Sequence, residues 1–596
     1  MAATISLLAL LVLGGWAGLR VRGALAAYRD VRADVAALEA TRPADLARLN
    51  EGDLAQIASD LARLQHDLRR LDAALTPPAG AALVERLPGI GPRYAAGRRL
   101  IRVVELLARA GRAAAEVTRE TLIALQATGV RRAATATGPT WLEAVQAQQP
   151  ELDAIVAQVE EARQLRASID PQALPAAARA RLSQLDRALA LVAPLRAVTE
   201  ELPLLAAALG GDGPARYLVL FQNPAELRLS GGFPGTVALV TLERGQVVAY
   251  TFHDIYALQQ AYLAGRQTPV PAPWPLAHYF RHAELPIQDA TWWADFSRGG
   301  AQLAAMYGAT GWPPIDGVVG LTPAVVRDLL ALTGPVTVEV DGAPRVITAA
   351  NVDAEIERQR FVHGSNPAAE THKAVLALVG QALIERLTAA DRGLLLEVAR
   401  ALRAAADRRD LQVYAVDPQL QAAVDARGWS GRLEPAPGTP TLALSAASLV
   451  TNKASRVVAP HLTLTVAPPH AGRRAVTLEV ALAHTGDPSA DPYHAGYQRW
   501  WLEVRLPAGS VRQDASHAPL PDPDAPNGGS YELELAPGQT THFSLRFSMP
   551  DASQLLLRRQ PGLTPVTVVA TTPGCRAPLT ATLTQDLTID LATLCR

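Results

Sequence analysis

Near residue 214 the hydrophobic pattern of this 596-residue chain changes period, and that change limits what the chain can fold into. Before it, apolar residues recur at the three- and four-residue spacing of helices. After it, short runs rich in Val, Leu and aromatics take over, as strands require. The clearest upstream case is Leu54, Ile57, Leu61, Leu64, Leu68, Leu71 and Leu75, an a/d seam with Asp53 as the expected N-cap and Pro77 and Pro78 as the stop. A helix carrying such a seam must pack on another, within an antiparallel bundle or stalk or across a dimerising coiled coil.

The chain is too long for one core, so several structural units are expected. Residues 24–210, rich in Ala, Leu, Arg and Glu, read as a helical membrane-proximal region through which the chain can self-associate. Residues 214–425 alternate strands with helices, as in "IDGVVGL" followed by "TPAVVRDLLALTG" with Thr322 as N-cap and Pro323 in the first turn, and predict a central α/β domain. The Pro- and Gly-rich stretch within 426–440 reads as a linker, and the short alternating strands of 441–596 predict a β-sandwich. The fold class is therefore multidomain α+β.

At the N-terminus, "MAATISLLALLVLGGWAGLRVRG" carries no charge from Ala2 to Leu19. At about 1.5 Å per residue that run nearly crosses a hydrocarbon core of about 30 Å. No basic stretch precedes it, and Arg20 and Arg22 stand where a signal cleavage site belongs, so residues 1–23 are expected to be an uncleaved, single-pass anchor. Those two arginines alone favour a cytoplasmic downstream side.

The 56 basic and 57 acidic side chains leave a formal charge of -1, so no global field draws nucleic acid, and no nucleic-acid partner is expected. Cys575 and Cys595 are the chain's two cysteines, either a disulfide pair or two thiols; a CxxC metal site is excluded. There is no P-loop, no GxSxG elbow and no HExxH. His278 and His282, four apart, have no evident third metal ligand.

The most specific stretch is "FQNPAELRLSGGFPGTVALVTLERG", residues 221–245, which sets Asn223, Glu226, Arg228, Gly231, Gly232 and Gly235 between two strands. Glycines permit positive φ and close approach of a ligand, and an arginine offers a planar fork to phosphate. A bulged turn with Glu226 and Arg228 paired on one face is the competing reading. In "DATWWADF", Trp292 and Trp293 lie between Asp289 and Asp295, a pattern suited to stacking on a sugar ring or to pinning a loop to the core. Trp500 and Trp501, adjacent on an alternating strand, are expected to point one inside the sandwich and one outside.

"RYLVLFQNPAELRLSGGFPGTVALVTLERGQV", "HDIYAL", "QDATWWADF", "YGATGWPPIDGVVGLTPAVVRDLLALTGPVTV" and "NKASRVV", taken in order over about residues 214–460, resemble the DUF-4012 family of uncharacterised membrane-anchored bacterial proteins. The order of elements is more remotely similar to LytR-CpsA-Psr proteins, extracytoplasmic phosphotransferases that move polyprenyl-pyrophosphate-linked glycopolymers onto the cell wall. That likeness rests on "AELRLSGG", "FHDIY", "PPIDGVVGL", "TGPVTV", "ERQRFV" and "THKAVLALVGQAL".

The remote resemblance implies catalytic or phosphate-binding roles for Arg228, Asp254, Arg358 and Arg360, with Glu226 and Asp254 holding Mg²⁺. It implies substrate contacts from Asn223, Gly231, Gly232, His253 and Lys373, with Trp292 and Trp293 on the glycan. The chain departs from that pattern at His253, Ser230-Gly231 and His372-Lys373, so a kept fold with altered or lost catalysis stays open. The implied protein sits in the cell membrane with its bulk extracytoplasmic. It assembles or attaches a cell-surface polysaccharide, as a glycopolymer phosphotransferase or as a non-catalytic scaffold, adhesion or glycan-binding module.

Overall fold

A computed structural model describes residues 22–38, 49–76, 81–128, 141–190, 192–340, 342–357, 374–390, 392–433, 438–487, 489, 491–563 and 565–594. They form a mixed α/β, multidomain structure in two compact units that divide between Ala207 and Ala208. Nearly all of the expected anchor, through residue 21, lies outside the described residues. Among those described, no helix is long and apolar enough to cross a membrane.

In the first unit, the leucine seam lies on α2 (Glu51–Leu75), which follows α1 (22–38) and precedes the short α3 (Ala81–Glu85) and the long α4 (Gly91–Thr128). Helices α2 and α4 run antiparallel. Leu54 packs with Ala115 and Leu122, Leu64 and Leu68 pack with Ala108, and Asp72 pairs with Arg98 at 2.8 Å. Leu54, Leu64, Leu68 and Leu71 of the seam are thus buried within their own chain, while Leu75 at its end is exposed. The N-cap is Asn50 rather than Asp53. Asn50 Oδ1 accepts from the Asp53 N–H at 3.0 Å and Asp53 accepts from the Asn50 N–H at 3.1 Å, a reciprocal box that needs the acid at the third helical position. Helix α5 (Trp141–Ala147) leads to α6 (Gln149–Ala167), which packs Ile155, Val159 and Ala162 against Val103, Leu106 and Ala110 of α4. Helices α7 (Ala176–Arg179), α8 (Leu182–Leu189) and α9 (Val192–Ala208) follow.

The second unit opens with β1 (Ala215–Asn223), β2 (Phe233–Glu243) and β3 (Gln246–Asp254), joined by antiparallel pairing. Arg244 and Gly245, at φ 51 and 78, make the tight turn of the β2–β3 hairpin. Helices α10 (Ile255–Gly265), α11 (Trp274–Tyr279) and α12 (Phe296–Tyr307) carry the chain to β4 (Gly317–Leu321), which lies parallel to β1. With β7 (Leu411–Ala415) the sheet order is β3-β2-β1-β4-β7. Buried on both faces by this crossover, β1 and β4 read as continuous apolar runs. Between β4 and β7, helices α13 (Pro323–Thr333), α14 (Val352–Glu357) and α15 (Ala374–Thr388) share a separate small core with the hairpin β5 (Val336–Val340) and β6 (Ala343–Ile347). Helices α16 (Arg392–Asp407) and α17 (Pro418–Ala426) flank β7.

Residues beyond 440 form two facing sheets. Their strands are β8 (Thr441–Ser448), β9 (Val458–Val466), β10 (Arg473–His484), β11 (Gln498–Arg505), β12 (Val511–Ala515), β13 (Ser530–Leu535), β14 (Thr540–Pro550), β15 (Gln554–Arg558), β16 (Val566–Thr571), β17 (Leu579–Leu583) and β18 (Leu587–Asp590). One sheet is ordered β12-β14-β10-β9-β16-β17, and the other β13-β11-β8-β15-β18. Trp500 on β11 (Gln498–Arg505) points into the core between them, as expected. Trp501 does not point to solvent. It is 0% exposed and packs with Leu218, Trp292 and Phe296 of the α/β domain, because that domain covers the outer face of the five-stranded sheet. Leu433, in the stretch read as a linker, is buried in the same shared core.

Candidate functional site

The two ends of β1 and β2 that face the sandwich are closed by residues 223–232. Asn223 Oδ1 accepts from the Ala225 N–H at 2.9 Å, and the Gly231 N–H donates to the Arg228 carbonyl at 3.0 Å, folding the segment back on itself. Gly231, at φ 144, would place a Cβ 2.8 Å from Gln222 Oε1, and Gly232 would place one 2.3 Å from the Asn223 carbonyl. From the sandwich, Gly562 would set a Cβ 2.0 Å from the Gly231 carbonyl oxygen. These glycines let three stretches of backbone touch one another. They cradle the chain itself.

Arg228 is interior. Its side chain donates to Asp289 Oδ1 and Glu226 Oε1, both at 3.0 Å, and to the Leu227 carbonyl at 3.3 Å. It also lies 5.3 and 5.9 Å from the ring centres of Phe233 and Phe280. Burial alone would lower its pKa, but Asp289 and Glu226 hold it above the ordinary value, so it stays charged. Burial pushes Glu226 up against the opposing pull of Arg228. The guanidinium expected to meet phosphate is therefore occupied by two carboxylates, one of them 61 residues away and not anticipated in that role.

Asp254 stands at the same sheet edge, opposite Thr236 of β2, and caps α10 by accepting from the Tyr256 N–H at 2.9 Å. His253 lies with its ring 4.6 Å from that of Trp312, and burial lowers its pKa. Trp292 is 2% exposed in the core and presents no open ring to a glycan, and one face of the half-buried Trp293 is covered by Arg298 at 4.3 Å. Arg358, Arg360 and Lys373 lie outside the described residues. The Mg²⁺ pair does not fit either. Glu226 is engaged by a guanidinium and Asp254 by a backbone N–H, and among the described residues no group of three His, Cys, Asp or Glu is placed to hold a metal.

A second place at the sheet edge gathers charge that the sequence does not flag. A cleft of about 570 Å³ opens at the carboxyl ends of β1 and β4, walled by Pro224, the start of α13, Asp353 of α14, and the sandwich residues Arg456, Arg559 and Gly562. Thr322 caps α13 by position, yet its hydroxyl donates to Asp410 Oδ1 at 3.2 Å instead of to its own helix. Asp410 also accepts from Arg559 at 3.0 Å and from Arg408 at 3.3 Å, and Arg408 reaches Asp328 at 2.5 Å. Arg327 pairs with Asp353, and Arg456 approaches the same carboxylate at 3.6 Å. Four guanidiniums (Arg327, Arg408, Arg456, Arg559) thus face three carboxylates (Asp328, Asp353, Asp410), an excess of one positive charge.

These residues come from α13, α14, the α16–β7 turn, the β8–β9 connection and the loop after β15 (Gln554–Arg558). Nothing local marks Arg408 or Arg559. Arg456 falls within "NKASRVV", where the resemblance assigned it no role.

Residues 212–361 match the family described as "Protein of unknown function (DUF4012)". Among curated proteins none matches the chain. The matched span supplies the buried Arg228 cluster and one side of the cleft, through Pro224, Thr322, Arg327 and Asp353. The opposite side is built by residues beyond it.

Proposed function

We propose that the second unit recognises the phosphate or pyrophosphate of a polyprenyl-linked cell-surface glycan in the cleft between α13 and the sandwich, within a membrane-anchored envelope protein that takes part in polysaccharide assembly or attachment. One observation carries this reading. Four arginines from separate elements converge at the carboxyl ends of two parallel strands, where open α/β sheets place their ligands. Guanidiniums exchange carboxylate partners for phosphate oxygens without losing bidentate geometry, and the charge excess favours an anion. The reading is one of binding. Arg228, expected to act in transfer, is paired with Glu226, expected to hold Mg²⁺, and with Asp289.

Cys575 is disulfide-bonded, which suits an oxidising, extracytoplasmic setting. Protease accessibility of the second unit in intact cells tests that placement, and complete protection would sink it. The ligand is tested by titrating the full chain with inorganic pyrophosphate. Saturable binding that weakens about tenfold or more in an Arg327→Ala/Arg456→Ala variant is expected, the loss of roughly 1.4 kcal/mol. A wild-type Kd weaker than about 10 mM, roughly -3 kcal/mol of binding, refutes the reading.

A further inference from the structure

Beside the cleft, at the end of α14, Glu357 stands among three basic groups and bonds to none of them. Lys453 Nζ is 3.8 Å from Oε2, His494 Nε2 is 3.9 Å from Oε2, and Arg456 is 3.9 Å from Oε1. Both carboxylate oxygens are buried without a hydrogen-bond partner among the described residues, and so is His494 Nε2. A buried acceptor left unpaired is costly, and an unpaired carboxylate more so. Yet the basic groups are fixed from elsewhere. His494 Nδ1 is 2.7 Å from Asp491 Oδ2, which aims Nε2 at Glu357, and Lys453 follows the 448–452 turn that Asn452 anchors by donating to the Tyr497 carbonyl at 3.0 Å. The basic frame therefore belongs to the sandwich, while the acid is the last residue of a six-residue helix of the α/β domain.

A preorganised ring of basic groups at long range around one carboxylate is a poor ion pair and a good oxyanion site with a tethered occupant. We propose that Lys453, Arg456 and His494 form a second phosphate-binding subsite, next to the arginine cleft and sharing Arg456 with it, in which the Glu357 carboxylate stands in for the ligand. The assignment rests on the phosphate reading of the cleft and adds its internal competitor. A phosphate has oxygens in four directions, so it reaches toward three basic groups that the planar carboxylate leaves at 3.8 to 3.9 Å. Glu357 lowers the apparent affinity by the fraction of time it fills the ring, and its departure frees the subsite. The charge of Lys453 is also felt at Glu226, which Arg228 holds.

The test titrates the full chain with inorganic pyrophosphate and, separately, with polyprenyl pyrophosphate in neutral-lipid vesicles, comparing wild type, Glu357→Gln and Glu357→Gln/Lys453→Ala. Glu357→Gln is expected to bind about tenfold tighter, as removal of an occupant present nine-tenths of the time requires. Adding Lys453→Ala is expected to cancel the gain. A gain with both ligands identifies the free anion as sufficient, and a gain confined to vesicles identifies the lipid-linked source. Unchanged or weaker binding by a folded Glu357→Gln variant, with wild-type binding intact, overturns the subsite and leaves the cleft standing. Absence of binding by both forms overturns the two together. A lower melting temperature with no gain in affinity marks Glu357 as a structural residue and overturns the proposal.

Discussion

Gln560 and Arg228, 332 residues apart, are joined by a buried hydrogen bond of 3.0 Å from the Gln560 amide to the Arg228 carbonyl. The same amide donates to the Ala446 carbonyl at 2.7 Å, and its oxygen accepts from the Ala446 N–H at 2.8 Å. One side chain thus fastens the Arg228 segment to β8 (Thr441–Ser448) of the sandwich.

Gln560→Ala leaves the buried N–H and carbonyl of Ala446 without the partners Gln560 supplies, and the Arg228 carbonyl with the Gly231 N–H alone. A loss of about 2 to 4 kcal/mol is expected, read as a lower midpoint in chemical denaturation. The α/β sheet and the sandwich share a core through Trp501, so near-UV signals from both are expected to lose their native form in one transition.

Arg228→Met strands the carboxylates of Glu226 and Asp289 in the interior. Destabilisation of about 3 to 5 kcal/mol is expected. The triple variant Arg228→Met/Glu226→Gln/Asp289→Asn removes the stranded charges and is expected to recover much of that loss. If the single and triple variants unfold at the same denaturant concentration, the triad is not the source of the effect.

Glu503 accepts from Trp501 Nε1 at 3.2 Å beneath the α/β domain, and burial pushes its carboxyl up to about 7. The unfolded chain releases this proton near pH 4.5, so between those values the folded state binds more protons and stability falls as pH rises. The fall is on the order of 3 kcal/mol. Glu503→Gln keeps the acceptor and loses the titration. Its stability profile is expected to be flatter than wild type between about pH 5 and 7, and its advantage largest at pH 8, by urea unfolding across pH.

The disulfide at Cys575 is expected to pair with Cys595, the chain's other cysteine, and non-reducing peptide mapping reads this directly. Closing a loop of that length contributes about 3 kcal/mol. Cys575→Ser is expected to lower the stability of the second unit by about 2 to 4 kcal/mol, and added reductant to change the wild type but not the variant.

Much of the fold was legible because its signals are local. Three-and-four spacing made α2 a packing helix, alternation made the sandwich strands, and Thr322-Pro323 began a helix. The same signals misplaced the N-cap by three residues, because Asn50 and Asp53 both cap well and only the reciprocal pair shows which comes first.

The site was legible only as a choice of residues. Glu226 and Arg228 are two apart on one segment, so their pairing was readable, and the bulged turn described them better than the phosphate cradle. That Asp289 completes the triad, that Trp501 is covered, and that Arg559 faces Arg327 across a cleft all depend on which faces meet. Periodicity says that a residue is buried but not against what. The sequence by itself determined the elements and their order. The docking of the sandwich onto the α/β sheet decided which charges are spent on one another and which line an open cleft, because a charge's partners are fixed by distance in space and the local pattern carries only distance along the chain.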